Sequence, residues 1–354
     1  MSAKNSLVIR HKLLAWYKKS KRDLPWRRTR DPYAIWVAET MLQQTQVKTA
    51  LPYYERFLSA LPSVQTLARA PLQRVLRLWS GLGYYRRAKN LRTAARQIVR
   101  DHQGKIPADY GQLRALAGIG DYTAGALLSI AFGKNYPAVD GNVRRVLGRL
   151  GRITEKSALR ALAQRLAAGA RPGDLNQALM ELGATVCAPR APNCTACPLK
   201  RQCSSFAEGP LVHRAARRRV TPFTDVTWPL AIVRCGGKIL LRRRADTLLL
   251  ARLWELPGVE TPRPKYALRS LRHELRALPV KFAPPRRIGA IHHSITYRRI
   301  QAPIYCFDCA EPFDIALPRA QWRWTAPGDL ARYPVSSMTQ KALAVLAAHE
   351  TRSA

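Results

Sequence analysis

The stretch from Leu113 to Leu150 constrains the fold more than any other part of the chain. It reads Leu-Arg-Ala-Leu-Ala-Gly-Ile-Gly-Asp-Tyr-Thr-Ala-Gly-Ala-Leu, and a short connector then leads to Val139-Asp140-Gly141-Asn142-Val143. Apolar residues at helical spacing flank Gly118-Ile119-Gly120 on both sides, which predicts two helices joined by a turn that suits glycine. Such a turn bares consecutive backbone N–H groups at the start of the second helix, where the helix dipole also favours an anion. Gly118 and Gly120 are therefore candidate contacts to a phosphate of a DNA strand. Asp140, alone between an apolar residue and Gly-Asn, is a candidate acid to which a clamped nucleotide is delivered. On spacing alone, capping of the following helix is the simpler explanation of Asp140.

Charge supports a polyanionic partner. Sixty Lys+Arg against 22 Asp+Glu give a net charge of +38, spread along the whole sequence. So large an excess repels itself and finds its natural counterpart in nucleic acid, although a merely basic or ribosome-associated protein shares the property. At 354 residues the chain is long enough for two domains. No apolar run approaches the roughly 18 residues of a membrane span. Met1 to Lys12 lacks the apolar core of a signal peptide, so no membrane association and a cytoplasmic location are expected, at the nucleoid if the source is bacterial. Seven cysteines in such a chain point to metal or to buried thiols.

Residues 7–19 predict an amphipathic basic helix, broken by Leu24-Pro25-Trp26-Arg27-Arg28, and Asp31-Pro32-Tyr33 starts the next. There Ile35, Ala38, Glu39 and Leu42 fall at i, i+3, i+4 and i+7, which places Glu39 on the apolar stripe ahead of Gln43, Gln44 and Gln46. A carboxyl on the buried side has a raised pKa, as a general acid requires, and a glutamate tied to an arginine fits the same pattern. Residues 51–103 predict further helices, interrupted at Gly81-Leu82-Gly83-Tyr84-Tyr85-Arg86-Arg87, where the tyrosines could wedge between bases or simply fill a core. Helices are expected again at 157–168 and 174–186.

Cys187, Cys194, Cys197 and Cys203 follow at C-x6-C-x2-C-x5-C spacing. Four thiolates this close can enclose one tetrahedral metal or a cubane cluster, and the lack of a second C-x2-C pair argues against a zinc ribbon. Arg190, Lys200 and Arg201 lie in or beside that loop, so it suits a phosphate-binding surface. Residues 207–227 read as a basic linker. Beyond it Gly236-Gly237, between Leu230–Cys235 and Lys238–Leu241, signals a β-hairpin. Strands are expected at 286–300 and 302–309, and helices near 265–277 and 338–349. Cys235, Cys306 and Cys309 are expected as buried thiols.

Taken together, Trp36-Val-Ala-Glu39-Thr-Met-Leu-Gln-Gln-Thr-Gln46, Gly81-Leu-Gly-Tyr-Tyr85, the Gly-Ile-Gly hairpin, Val139-Asp-Gly-Asn142 and the four-cysteine loop resemble the adenine DNA glycosylases of the MutY type. These belong to the helix–hairpin–helix, iron–sulfur glycosylases, and Leu253-Trp254-Glu255-Leu256-Pro257-Gly258 resembles the family's Nudix-like module. The resemblance implies an all-α glycosylase domain over 1–206 that includes an iron–sulfur loop at 187–203. A linker over 207–227 and an α+β Nudix-like domain over 228–354 follow.

The implied activity is removal of adenine mispaired with 8-oxoguanine or guanine in double-stranded DNA, by a monomer carrying a [4Fe–4S] cluster on the four cysteines. The target base has to leave the duplex for a pocket. Glu39 then matches the general acid at the purine N7, and Asp140 the carboxylate that stabilises the oxocarbenium-like sugar, a division resembling that of glycosidases. Tyr122 and Asn142 match supporting residues around the sugar. Trp26, Arg27 and Glu181 match adenine contacts, and Gln44 and Tyr84 match residues that fill or wedge the opened gap. Endonuclease III-type relatives carry a nucleophilic lysine where this chain has Tyr122. A phenol forms no Schiff base, so a monofunctional enzyme is implied.

The lesion-reading loop, usually Phe-Ser-His, is here Ile291-His292-His293-Ser294-Ile295-Thr296, which makes Ser294 the matching serine in altered surroundings. Arg252 stands where a small residue is usual. Leu271-Arg272-His273-Glu274-Leu275 lacks the glutamate doublet that holds magnesium in Nudix hydrolases, so no nucleotide hydrolysis is expected. A bifunctional endonuclease III-like lyase acting on oxidised pyrimidines and a non-catalytic iron–sulfur DNA-binding protein are the competing readings.

Overall fold

In a computed structural model, which describes residues 3–207, 222–246, 249–261, 263–309 and 321–353, the N-terminal part is helical. Ile9, Leu13 and Tyr17 recur at i, i+4 and i+8 along α1 (Ala3–Ser20) and share one core with Leu147, Leu162 and Leu179. Asp31 caps α2 (Pro32–Leu42) by accepting from the backbone N–H groups of Tyr33 and Ala34. This helix is apolar nearly all round, and residues 33–41 are all buried. Next come α3 (Val47–Ala60), α4 (Val64–Arg69), α5 (Leu72–Leu78) and α6 (Arg86–Asp101).

The Gly118-Ile119-Gly120 turn joins α7 (Tyr110–Ala115) to α8 (Asp121–Ala126). Gly118 has φ +77°, and a Cβ there meets Asn90 at 2.7 Å, so both backbone conformation and space require glycine. A π-helical turn, Leu127–Ala131, continues α8. The helical series ends with α9 (Gly141–Gly151), α10 (Lys156–Ala167), α11 (Pro172–Thr185) and the short α12 (Ser204–Ala207).

The chain divides into two units, residues 1–70 with 89–215 and residues 71–88 with 216–354. The second carries a mixed seven-stranded sheet made of β1 (Thr224–Thr227), β2 (Leu230–Cys235), β3 (Lys238–Arg243), β4 (Trp254–Glu255), β5 (Arg286–Ile295), β6 (Arg298–Asp308) and β7 (Trp322–Thr325). The order is β1-β6-β2-β3-β4, with β5 on β6 and β7 on β3. Alternation along the strands buries both faces. Ile232, Ile239, Leu241 and Ile304 pack with Met338, Ala342 and Leu346 of α14 (Ser337–Ser353), whereas Ala231, Val233, Leu240 and Phe307 pack with Leu271 and Leu275 of α13 (Ala267–Leu275).

Two sequence expectations are corrected here. Residues 224–227, assigned to the linker, are a strand paired in parallel with β6; residues 208–221 lie outside the described residues. The chain turns at Thr296-Tyr297, inside the strand expected over 286–300, and Ile295 pairs with Arg298. Pro303 sits within β6 opposite Ala290 of β5, between the stretches of β6 that pair with β1 and with β2. Gly236-Gly237 does make the expected hairpin, both residues having positive φ. Among the described residues no helix is long and apolar enough to cross a membrane.

Candidate active site

Glu39 occupies the buried helix α2, and its carboxylate accepts a hydrogen bond from the Tyr122 hydroxyl on α8. The Met180 sulfur of α11 lies 3.7 Å from the same hydroxyl. Of the two sequence readings of Glu39, the observed partner is thus a phenol. Burial pushes this carboxyl up to about 7; the Tyr122 hydrogen bond opposes the shift, the charge of Asp140 adds to it, and Arg27 opposes it. Desolvation and the nearby Glu39 and Asp140 hold the Tyr122 phenol well above its ordinary value, so it acts as a donor.

Asp140 lies within electrostatic reach of both residues and is also the N-cap of α9, its Oδ1 accepting from the Val143 N–H at 2.7 Å. Capping and a place in the acidic cluster are therefore compatible. Its Oδ2 accepts from Asn142 Nδ2 at 3.0 Å. Asn142 Oδ1 in turn accepts from Arg145 at 2.7 Å, and Arg145 also donates to the carbonyls of Gly183 (2.7 Å) and Cys187 (2.8 Å). Burial raises Asp140, while the Val143 and Asn142 donors and the Arg145 charge oppose the rise. More donors face Asp140 than Glu39, so Asp140 is the more acidic of the two. Gly183 lets α11 approach: a Cβ there meets Asn142 Cβ at 2.6 Å.

Glu181 has no exposed side-chain surface, and both its oxygens are engaged. Arg22 donates at 2.8 and 2.7 Å, and Arg27 at 2.7 Å. Burial alone raises this carboxyl, but those hydrogen bonds and the Arg27 charge hold it at about 2. Arg27 is thereby fixed, with its guanidinium 5.5 Å above the Tyr17 ring. Trp26 is buried edge-on against Tyr54. Gln44, just past α2, is exposed with φ +60°, a conformation that presents its side chain to solvent. At the hairpin, Gly120 caps α8 and Asp121 is paired with Arg114 (2.7 Å) and Arg160 (3.1 Å), which neutralises the one acid beside the bared N–H groups.

Cys187, Cys194, Cys197 and Cys203 line one cavity together with Val186 and Phe206. Arg149 lies 3.1 Å from the Cys187 sulfur and donates to the carbonyls of Ala188 and Pro189. Among the described residues no three His, Cys, Asp or Glu side chains converge tightly enough to hold one metal ion. Four cysteine thiols around one cavity, with the buried Arg149 guanidinium beside them, form a donor set that fits a thiolate-ligated metal centre.

In the second unit, Tyr84 is 50% exposed with φ +48°, stacked with Arg87 at 5.4 Å. Ser294 is exposed on β5 and lines a groove with His292, His293 and Lys341. Arg252 pairs with Asp246. Buried Glu255 is held by Arg244 (2.8 Å) and Arg242 (3.2 Å), and Arg242 also engages Glu274 of α13. Cys235 and Cys306 are buried as expected, whereas Cys309 is half-buried.

Arg22, Arg145, Arg149 and Met180 were missed from sequence. For Arg145 a signal existed, since it follows Asn142 by one helical turn and Arg149 continues the same face. Nothing local marks Arg22 or Met180.

Residues 37–172 match the model of the HhH-GPD superfamily base excision DNA repair proteins, and residues 230–345 match that of the NUDIX domain. The chain is 36% identical over 379 residues to an adenine DNA glycosylase of Rattus norvegicus, covering 89% of this chain and 73% of the relative. It is 36% identical over 381 residues to that of Homo sapiens, covering 89% and 70%. Among solved structures, a thermostable thymine-DNA glycosylase is 31% identical with a TM-score of 0.55, covering 58% of this chain and 98% of that one. A trapped endonuclease III–DNA covalent intermediate, 20% identical with a TM-score of 0.51 over 59% and 98%, shares the helical fold.

Proposed function

Because the chain belongs to the adenine DNA glycosylases, we propose that it excises adenine opposite 8-oxoguanine or guanine with Glu39 and Asp140 as its paired carboxyls. The single observation carrying this reading is that the buried Glu39 carboxylate, held by the Tyr122 hydroxyl, lies within electrostatic reach of Asp140, whose two oxygens accept from Val143 and Asn142.

The chemistry follows from that pairing. An adenosine flipped out of the duplex presents N7 to the protonated Glu39. Proton transfer to N7 turns adenine into a neutral leaving group, the C1′–N9 bond breaks, and the electron pair leaves with the base. The sugar is left oxocarbenium-like beside Asp140, whose negative charge stabilises it. Water then adds at C1′ and returns its proton to the Glu39 carboxylate, which restores the acid. Tyr122 orients Glu39, and Asn142, itself gripped by Arg145, orients Asp140. A phenol at position 122 forms no Schiff base, so the strand is left uncut at the abasic site.

Cys187, Cys194, Cys197 and Cys203 would hold a [4Fe–4S] cluster, whose chemistry when bound is to cross-link their loop through Fe–S bonds. Gly118 and Gly120 offer backbone N–H groups to a phosphate, Gln44 and Tyr84 suit the gap left by flipping, and Ser294 suits the 8-oxoguanine strand.

The test is a glycosylase assay on A:8-oxoguanine, A:G and thymine-glycol duplexes, with borohydride present in parallel. Adenine release without covalent capture is expected. Efficient trapping on thymine-glycol DNA overturns the reading in favour of a lyase, and binding without base release in favour of a non-catalytic protein.

A further inference from the structure

The second unit holds a cavity of about 330 Å³ whose lining is dominated by arginine. Arg74 and Arg77 come from α5, Arg243 from the end of β3, Arg323 from β7, and Arg332 from the turn before Tyr333. Among the described residues that line it none is acidic. Five arginines lining one space with no acid among its described lining are matched by a multiply charged oxyanion.

The aromatic residues beneath them act as a scaffold. Trp254 is buried, and the guanidiniums of Arg243 and Arg323 lie 5.9 and 5.8 Å from its ring, with Arg323 also 5.7 Å from Tyr333. Register fixes this: Arg243 pairs with Trp254 across β3 and β4, and Arg323 pairs with Leu241 across β3 and β7. With the rings so occupied, the cavity offers a ligand N–H donors and positive charge in place of a stacking face. At roughly ten water volumes it admits phosphates and excludes a duplex groove.

A second observation ties the cavity to the Tyr84 loop. The cavity wall at Tyr333 and Pro334 continues into Val335, whose carbonyl accepts from Ser80 Oγ at 2.6 Å and from the Tyr85 hydroxyl at 3.5 Å. Those two residues bracket the loop that presents exposed Tyr84, and α5, which supplies Arg74 and Arg77, runs directly into the same loop. We propose that this arginine cavity is a phosphate clamp for the DNA backbone, gripping phosphodiesters beside the point where Tyr84 meets the base stack. The proposal rests on the reading of duplex DNA as substrate.

The test is the salt dependence of duplex binding by the full-length protein and its Arg77→Gln/Arg323→Gln double variant. Loss of two phosphate contacts is expected to reduce the slope of log K against log [salt] by about 1.8, which makes affinity about tenfold less sensitive between 50 and 200 mM. The reduction should be the same for mismatched and fully paired duplexes, and Arg77→Lys/Arg323→Lys should restore most of it. An unchanged slope in a folded Gln variant overturns the proposal; should the double variant melt early, Arg77→Gln alone is read instead, with a reduction of about 0.9 expected and an unchanged slope again overturning it. Pyrophosphate provides the other arm. If it stabilises the wild type against heat but not the Gln variant, while the DNA slope is unmoved, the cavity takes free phosphates instead. Absence of adenine release by the wild type sinks the enzymatic reading and leaves this comparison intact.

Discussion

Replacing Tyr122 with Phe removes the hydroxyl that donates to Glu39 and leaves the half-buried ring in place. That hydrogen bond favours the ionised carboxylate, so its loss lets burial act with less opposition and the Glu39 pKa rises further above about 7. A hydrogen bond to a charged group contributes about 1.5 kcal/mol, which corresponds to about one pKa unit and moves the midpoint to about 8. If Glu39 must be protonated to act, single-turnover adenine release falls on the alkaline side of that midpoint. The wild type then retains at pH 8 about a tenth of its pH 6 rate, and Tyr122→Phe about half of its own. The absolute rate of the variant is lower, because the acid is less well oriented, but its alkaline limb lies further out. A limb that stays in place or moves to lower pH refutes the argument. The same group bears on stability: with a folded pKa raised above 4.5, its favourable contribution is complete below about 4.5 and is lost as pH rises through about 7.

Two other perturbations follow. Glu181→Gln leaves the Arg22 and Arg27 guanidiniums without their carboxylate, and urea unfolding at pH 7 should show a loss of about 3 kcal/mol. Because the folded pKa of Glu181 lies at about 2, below its unfolded value, the stability it contributes is present above about 4.5 and disappears as pH falls toward 2, so wild type and variant should converge in acid. Gly183→Ala drives a Cβ into Asn142 and should cost about 1–3 kcal/mol. Since Asn142 orients Asp140, it should also slow adenine release at saturating DNA while affinity for the duplex holds; an unaltered rate contradicts the positioning role.

What the sequence disclosed depended on how local the cause was. The glycine hairpin was legible because Gly118 needs a positive φ that few residues adopt, and the position of Glu39 was legible because helical periodicity places i+4 on the apolar stripe. Asp140 was legible as a cap from spacing, and its neighbourhood with Glu39 only through the family resemblance, since nothing in the order of residues brings α2 to the start of α9. The same holds for Arg22, which meets Glu181 only through the packing of α1 on α11. Strand β1 escaped because Thr-Asp-Val-Thr is polar and short, and its pairing is supplied by β6. The boundary between β5 and β6 was misplaced because the turn at Thr296-Tyr297 carries no glycine or proline to mark it, and only the pairing of Ile295 with Arg298 reveals it.

The most direct measurement is single-turnover adenine release from an A:8-oxoguanine duplex by the wild type, Glu39→Gln and Asp140→Asn, with enzyme in excess and DNA occupancy matched. Asparagine caps a helix as well as aspartate, so Asp140→Asn should keep the fold while removing the charge. The account predicts that each substitution slows release by about a hundredfold or more. Release by either variant within a few-fold of wild type contradicts it.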